Sequence, residues 1–485
     1  MDSPLTPRRQ RLLVAAVMSG LLLAMLDQSI VGTALPEIVH ALGGEDLYLW
    51  VVTAYLVPAT VTLPVYARLS DRYGRRALLL IGMVLFLTGS ALAATAQTME
   101  QLIAWRGLQG LGAGALESLS FILVADLFAG RRNAALQGAL AGLMGISFIA
   151  GPLVGGFLTD EVGWRWVFAV NLPLGLVALA VVATVLPASI GRSEGRSTPI
   201  DLRGIALLTI ALGTILVGLS ERAHADAATG QLPAWTEPQT GGLLVVGLAF
   251  LAAFIAAERR AAAPIVPLWL FRDRRTAALL VAAATGAFGL FAGVLLLPRY
   301  FQSVRDVSAT HSGLLIYPLL LGVLVSVNVA GAVISTRLQF RTPLLIGLAL
   351  ATAGALGFAT FDAQTPDWQA LTFMALIGLG VGPLLSGLQI AMQRTVKPAQ
   401  IGAGMGTLIL LRQLGASIAL AAAESVYAAG AETNPATATG DGVFAVTVAG
   451  ALVAAAALLF LLPRGAGRLA PLPQQPPAQP AAAAT

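Results

Sequence analysis

Two apolar runs, residues 51–69 and 77–96, stand either side of the charged heptapeptide SDRYGRR at 70–76. A membrane-crossing helix needs about 20 predominantly apolar residues, and both runs meet that length. Asp71, Arg72, Arg75 and Arg76 cannot lie in hydrocarbon, so the heptapeptide is expected as a tight surface turn between two spanning helices. With Arg68 it brings four basic residues together, which points to the cytoplasmic side, where short loops collect Lys and Arg.

The rest of the chain follows the same rule. It is 57% hydrophobic and 11% charged, more apolar than a soluble chain of 485 residues could bury. The net charge of +5 falls in short loops beside apolar runs. There it sets orientation and gives no reason to expect a nucleic-acid partner. No Cys is present, and His40, His224 and His311 are scattered, so no disulfide, metal site or cofactor is expected. The start MDSPLTPRRQR leads into an apolar run that passes Asp27 and reaches Ala34. That is longer than a signal-peptide core of about 7–15 residues, so it is expected to stay as the first span.

Fourteen such runs follow one another, beginning near residue 12 and ending near 462. Of the 29 basic residues, 23 fall in the termini and even-to-odd connections and four (Arg165, Arg222, Arg299 and Arg305) in the odd-to-even ones; two lie inside runs. One helix too many or too few would invert that bias, so fourteen spans with both termini cytoplasmic are expected. Runs one to six (12–186) and nine to fourteen (276–462) make two six-helix bundles. Residues 187–275 form a linker carrying two additional helices, with cytosolic ends at 1–11 and 463–485. ARLSDRYGRRALLLIG after run two finds a faint echo, STRLQFRTPLLIG, after run ten. Internal repeats of this kind are a common build of secondary transporters.

Ionisable residues inside spans cost about 2.5–3.5 kcal/mol each on insertion scales, so Asp27, Arg106, Glu117 and Arg412 need compensation. At 1.5 Å rise per residue, Asp27 lies about 22 Å from the inner end of run one and Arg106 about 8 Å from the outer end of run four. In a core about 30 Å thick these depths coincide. The two are expected to pair, either as a protonatable site or as a static clamp between two helices. Glu117, eleven residues after Arg106, shares its helix face; it is a second proton site, a selector for cationic substrates, or an acid snorkelling to the interface. Arg412 is counter-charge to either acid, and Glu424, near the outer end of its span, is reached by water. Phe121, Phe148, Phe288, Phe291 and Tyr317 are candidates for an aromatic cavity holding flat cations, although each also serves as ordinary core or lipid contact. Lys397 is the sole Lys and follows no phosphate-binding loop, and no nucleophile, base and oxyanion constellation appears. The chain is read as a carrier driven by ions, not as an enzyme.

LDQSIVGTALP (26–36), RLSDRYGRR (68–76), RGLQGLGAG (106–114), GPLVGG (151–156) and WRWVFAVNLPLG (164–175) occur in this order. Together they resemble the signature set of the major facilitator superfamily, in particular its fourteen-span drug:proton antiporter branch. Ala67 stands where the family's loop motif usually opens with Gly, and Gly32 where the first-helix motif usually has Asn. The resemblance implies a proton-coupled exporter of lipophilic or cationic drugs, an all-α protein of the cell membrane working as a monomer. It also implies a cytoplasmic gate at Asp71, Arg72, Gly74, Arg75, Arg76 and Asp126. Gly151, Pro152, Gly155 and Gly156 mark an exporter helix that seals the pathway. A lipid or lipid-precursor exporter on the same scaffold, and a membrane receptor that transports nothing, are the alternatives.

Overall fold

The computed structural model of the chain describes residues 6–44, 47–127, 147, 150–187, 201–222, 233–261, 264–397, 400–431, 433–463 and 467–468. Its helices are α1 (Pro7–Leu42), α2 (Tyr48–Tyr73), α3 (Arg75–Ala94), α4 (Met99–Leu127), α5 (Trp166–Ala169), α6 (Asn171–Val185), α7 (Leu202–Arg222) and α8 (Leu243–Glu258). They continue as α9 (Arg274–Thr285), α10 (Phe288–Ser303), α11 (Ala309–Leu315), α12 (Tyr317–Arg337), α13 (Arg341–Phe358), α14 (Asp367–Thr395), α15 (Ile401–Ala431) and α16 (Pro435–Ala456). A helical stretch at 150–157 precedes a π-helical turn, Leu158–Val162. No strand occurs among the described residues; an isolated bridge joins Gln339 to Arg468.

Sequence-local chemistry sets the boundaries. Thr6 caps α1 ahead of Pro7, Ser308 caps α11, and Asn434 caps α16 ahead of Pro435. Each supplies a side-chain acceptor to a first-turn amide that has no intrahelical partner. The SDRYGRR turn is shorter than expected. Helix α2 runs on through Tyr73 and α3 begins at Arg75, leaving Gly74 alone between them at φ +87°, with its N–H donating to the Ser70 carbonyl at 3.0 Å. Charged side chains in a last helical turn reach polar surroundings without giving up backbone hydrogen bonds, so the reversal needs only one residue free of the Cβ penalty at positive φ.

Eleven helices among the described residues are long and apolar enough to cross a membrane. Their outward faces carry Val177, Val245 and Leu452, each more than 60% exposed, a surface stable only against lipid. Helices α1, α2, α3, α4 and α6 pack on one another, as do α9, α10 and α12–α16, and the two groups meet where α1 touches α10 and α11 and where α2 touches α15. Helices α7 and α8 form a pair whose α7 rests on both α2 and α15. RGLQGLGAG makes close approach possible within the first group: a Cβ at Gly110 would lie 2.3 Å from the Tyr55 carbonyl, and one at Gly112 would lie 2.3 Å from the Phe86 nitrogen. Small residues let spanning backbones approach this closely, and here they bring α4 against α2 and α3.

Candidate functional site: a buried charge network and the seam beside it

That close packing seals Asp27 inside the first group of helices. Asp27 is 0% and Arg106 1% exposed, and they form a buried ion pair. The other Asp27 oxygen accepts from Gln109 Nε2 at 2.8 Å and Asn171 Nδ2 at 3.0 Å. Both amides also donate to Ser90 Oγ, at 2.7 and 2.9 Å. Arg106 donates to Gln109 Oε1 at 2.7 Å and to the Val51 carbonyl at 3.2 Å. Its guanidinium lies 4.1 Å from the Tyr55 ring centroid, and the Tyr55 hydroxyl donates to the Ala24 carbonyl at 2.9 Å. One carboxylate thus joins α1, α2, α3, α4 and α6. The expected pairing of Asp27 with Arg106 is present, and the four residues that complete it carry no charge to mark them in the sequence.

Glu117 is buried too, and accepts from Gln28 Nε2 at 3.0 Å. Of the three readings of Glu117, a snorkelling acid gives way to an enclosed one, because the Gln28 side chain, next to Asp27 in sequence, turns toward it. Arg412, on α15, lies within electrostatic reach of Glu117, so the two helix groups present opposite charges to each other. Glu424 is not where water reaches it. It is 6% exposed and takes a hydrogen bond of 2.7 Å from Arg299. Arg299 in turn sits 4.5 Å from the Tyr48 ring and 4.3 Å from the Tyr427 ring. Arg299 is thus not in a connection, where its charge is expected, but inside α10, balanced by Glu424 and by two aromatic faces.

Around Gly74, Arg75 donates to the Ile122 carbonyl at 3.2 Å and Arg76 to the Ala183 carbonyl. Both arginines satisfy carbonyls near the ends of helices in their own group. The side chains of Asp71, Arg72, Phe121 and Asp126 lie outside the described residues, as does Phe148. Phe288, Phe291 and Tyr317 are half-buried against the main core. The GPLVGG stretch lies where the two groups touch. Cβ atoms at Gly151 and Gly155 would meet Ser29 and Thr33 of α1 at 1.9 and 2.4 Å, and one at Gly156 would meet the Ala309 carbonyl at 2.5 Å. From the other side, a Cβ at Gly313 would meet the Pro152 carbonyl at 2.4 Å. Asp160 then accepts from the backbone amides of Ala309 at 3.1 Å and Thr310 at 2.8 Å, while Gln302 Nε2 donates to the Thr33 carbonyl at 2.9 Å. The two groups are therefore latched together at the end of the molecule where α1 finishes. Among the described residues, no group of His or acidic side chains is placed to hold a metal ion.

The family model described as Major Facilitator Superfamily matches residues 17–420. The chain is 31% identical over 412 residues to the multidrug transporter protein MdtP of Bacillus subtilis strain 168, covering 85% of this chain and 74% of that one. It is 32% identical to multidrug resistance protein 3 of the same organism, covering 84% and 78%. Among solved structures it resembles an auto-inhibited POT family peptide transporter, with a TM-score of 0.65 at 15% identity over 93% of this chain and 96% of that one.

Proposed function

We propose that this chain, which belongs to the Major Facilitator Superfamily, exports lipophilic or cationic compounds in exchange for protons, as a monomer of the fourteen-span drug:proton antiporter branch with both termini cytoplasmic. Relatives named as multidrug transporters support the substrate class. For the span count, α2 and α4 hold 26 and 29 residues, about 39 and 44 Å at 1.5 Å each, which exceeds a hydrocarbon core of about 30 Å. The remaining run, 134–158, lies mostly outside the described residues.

The observation that carries the coupling is Asp27, which holds donors from Arg106, Gln109 and Asn171 at once. A carboxylate accepts all three, whereas a protonated carboxyl must donate through one oxygen and loses its Coulomb attraction for Arg106. Protonation therefore releases Arg106 and redistributes the hydrogen bonds that join α1, α3, α4 and α6. In the proposed cycle the latched end faces outward. When it opens, protons reach Asp27 and substrate leaves; inside, Asp27 discharges as the empty carrier returns. Glu117 and Arg412 read substrate charge, with Phe288, Phe291, Tyr317, Phe121 and Phe148 around the substrate. Glu424 with Arg299 responds to protons nearer the outer end. Asp71, Arg72, Gly74, Arg75, Arg76 and Asp126 gate the cytoplasmic end, while Gly151, Pro152, Gly155 and Gly156 seal the outer one.

The test is uptake of a fluorescent lipophilic cation into proteoliposomes or inside-out vesicles under an imposed pH gradient. Wild type should accumulate it and Asp27→Asn should not. Uphill uptake by Asp27→Asn at the wild-type rate, with unchanged pH dependence, would dispose of the coupling role.

A further inference from the structure

Apart from the main core, Val61 of α2, Leu208 and Leu212 of α7, Phe254 of α8, Val266 and Leu410 of α15 form a separate buried apolar cluster. It bridges the two helix groups, and one of its walls comes from the segment between α8 and α9. Glu258 ends α8 at 3% exposure, and its carboxylate accepts from the Ile265 amide at 2.8 Å and the Val266 amide at 3.1 Å. A buried acid on two backbone amides fixes this segment in place. Val266 and Leu270 consequently point inward at 6% and 0% exposure, and Thr276 Oγ1 donates to the Leu270 carbonyl.

The other side of the segment has the opposite character. Trp269 and Phe271 stand 40% and 38% exposed within the single 3-10 turn Leu268–Phe271. Arg259, Arg260, Arg272, Arg274 and Arg275 are all exposed, and none of them belongs to an ion pair among the described residues. The one acid among them, Asp273, accepts from the Arg275 backbone amide as the cap of α9. Five guanidiniums without an ion pair among the described residues and two outward aromatic rings thus share a platform between the apolar helical stretches Pro238–Glu258 and Arg274–Ser303, both long enough to span.

We propose that Arg259, Arg260 and the stretch 269–275 form a binding surface for anionic phospholipid headgroups. Guanidiniums pair with phosphate in a fork geometry, aromatic rings settle at headgroup level, and basic clusters beside spanning helices are drawn to anionic leaflets. Because the reverse face of the platform packs into the cluster joining α2 to α15, occupied headgroup sites hold that seam together. A soluble acidic partner would have no use for the outward rings, which favours a lipid surface. The proposal stands whether or not the chain moves protons.

The full chain in neutral detergent is heated with added phosphatidylglycerol, phosphatidylcholine or free glycerol phosphate. Phosphatidylglycerol should raise the unfolding midpoint by several degrees more than phosphatidylcholine, and glycerol phosphate should leave it unmoved. In Arg272→Gln/Arg274→Gln/Arg275→Gln more than half of that extra shift should disappear, while Arg337→Gln/Arg341→Gln, on another loop at the same end, should keep it. If the triple variant does not fold, Arg259→Gln/Arg260→Gln takes its place. Equal shifts from both lipids, an undiminished shift in the loop variants, or an equal shift from glycerol phosphate would each overturn the proposal.

Discussion

Asp27 and Arg106 have no water to fall back on, and that makes their substitutions asymmetric. Removing one member of a buried pair leaves the other uncompensated, at a cost of about 3–5 kcal/mol, whereas removing both avoids most of it. Asp27→Asn and Arg106→Gln should therefore each lower the thermal midpoint in detergent markedly, and the double variant should be destabilised by much less than their sum. Additive losses would mean that the pair contributes little beyond packing. The pair was legible in the sequence because charge inside an apolar run is conspicuous and the helix rise fixes its depth. Ser90, Gln109 and Asn171 were not: uncharged polar residues are unremarkable in spans, and hydrogen bonds across helices leave no trace in sequence spacing. Gln109 alone offered a hint, three residues after Arg106 on the same face. Arg299 was misplaced for a related reason. A charge at the end of an apolar run reads as loop until Glu424, 125 residues away, is brought beside it.

The latch between the 158–162 turn and α11 depends on one carboxylate and on glycines too small to interfere. Burial alone would push the Asp160 carboxyl up, but hydrogen bonds from Thr310, Ser308 and Ala309 outweigh it and hold Asp160 below the ordinary carboxylate range. An acid depressed in this way stabilises the latched form above its ordinary value, and that contribution is lost as pH falls through the depressed one. Exchange protection of the Ala309 and Thr310 amides, corrected for intrinsic rates, should accordingly hold down to about pH 5 in the wild type and fall as pH is lowered below the ordinary carboxylate value of about 4. In Asp160→Ala it should be low throughout. Flat protection in the wild type would rule the latch out as a pH-responsive contact. GPLVGG stood out in the sequence through its resemblance to an exporter motif, and small residues at this spacing also permit close packing in a span. It did not announce its partners, because α11 follows it by some 150 residues and their meeting is a matter of tertiary arrangement. SDRYGRR was legible as a reversal but too long as a loop, since one glycine accomplishes the turn.

The two helix groups are each tied internally, by the Asp27 network in one and by tight glycine crossings such as Gly378 on the Leu319 carbonyl in the other, and they meet along narrow seams. Such a molecule should move as two bodies. The chain has no native Cys, so spin-label pairs can be placed cleanly. Labels at Glu161 and Ser303, across the latched end, should show two distance populations whose balance shifts with substrate, whereas labels at Thr95 and Glu161, within one group, should keep a single distance. A change in the second pair as large as in the first would argue against rigid halves. The placement of α7 and α8 makes the two seams between the halves unequal. At one, α2 touches α15 and the helical hairpin adds its apolar cluster against both; at the other, the 150–157 stretch meets α11 through glycine contacts and the Asp160 hydrogen bonds. Relative motion of the halves therefore has to slide an apolar contact along α7 at the first seam, whereas at the second it has to break discrete polar contacts, so the first suits a hinge and the second a clasp.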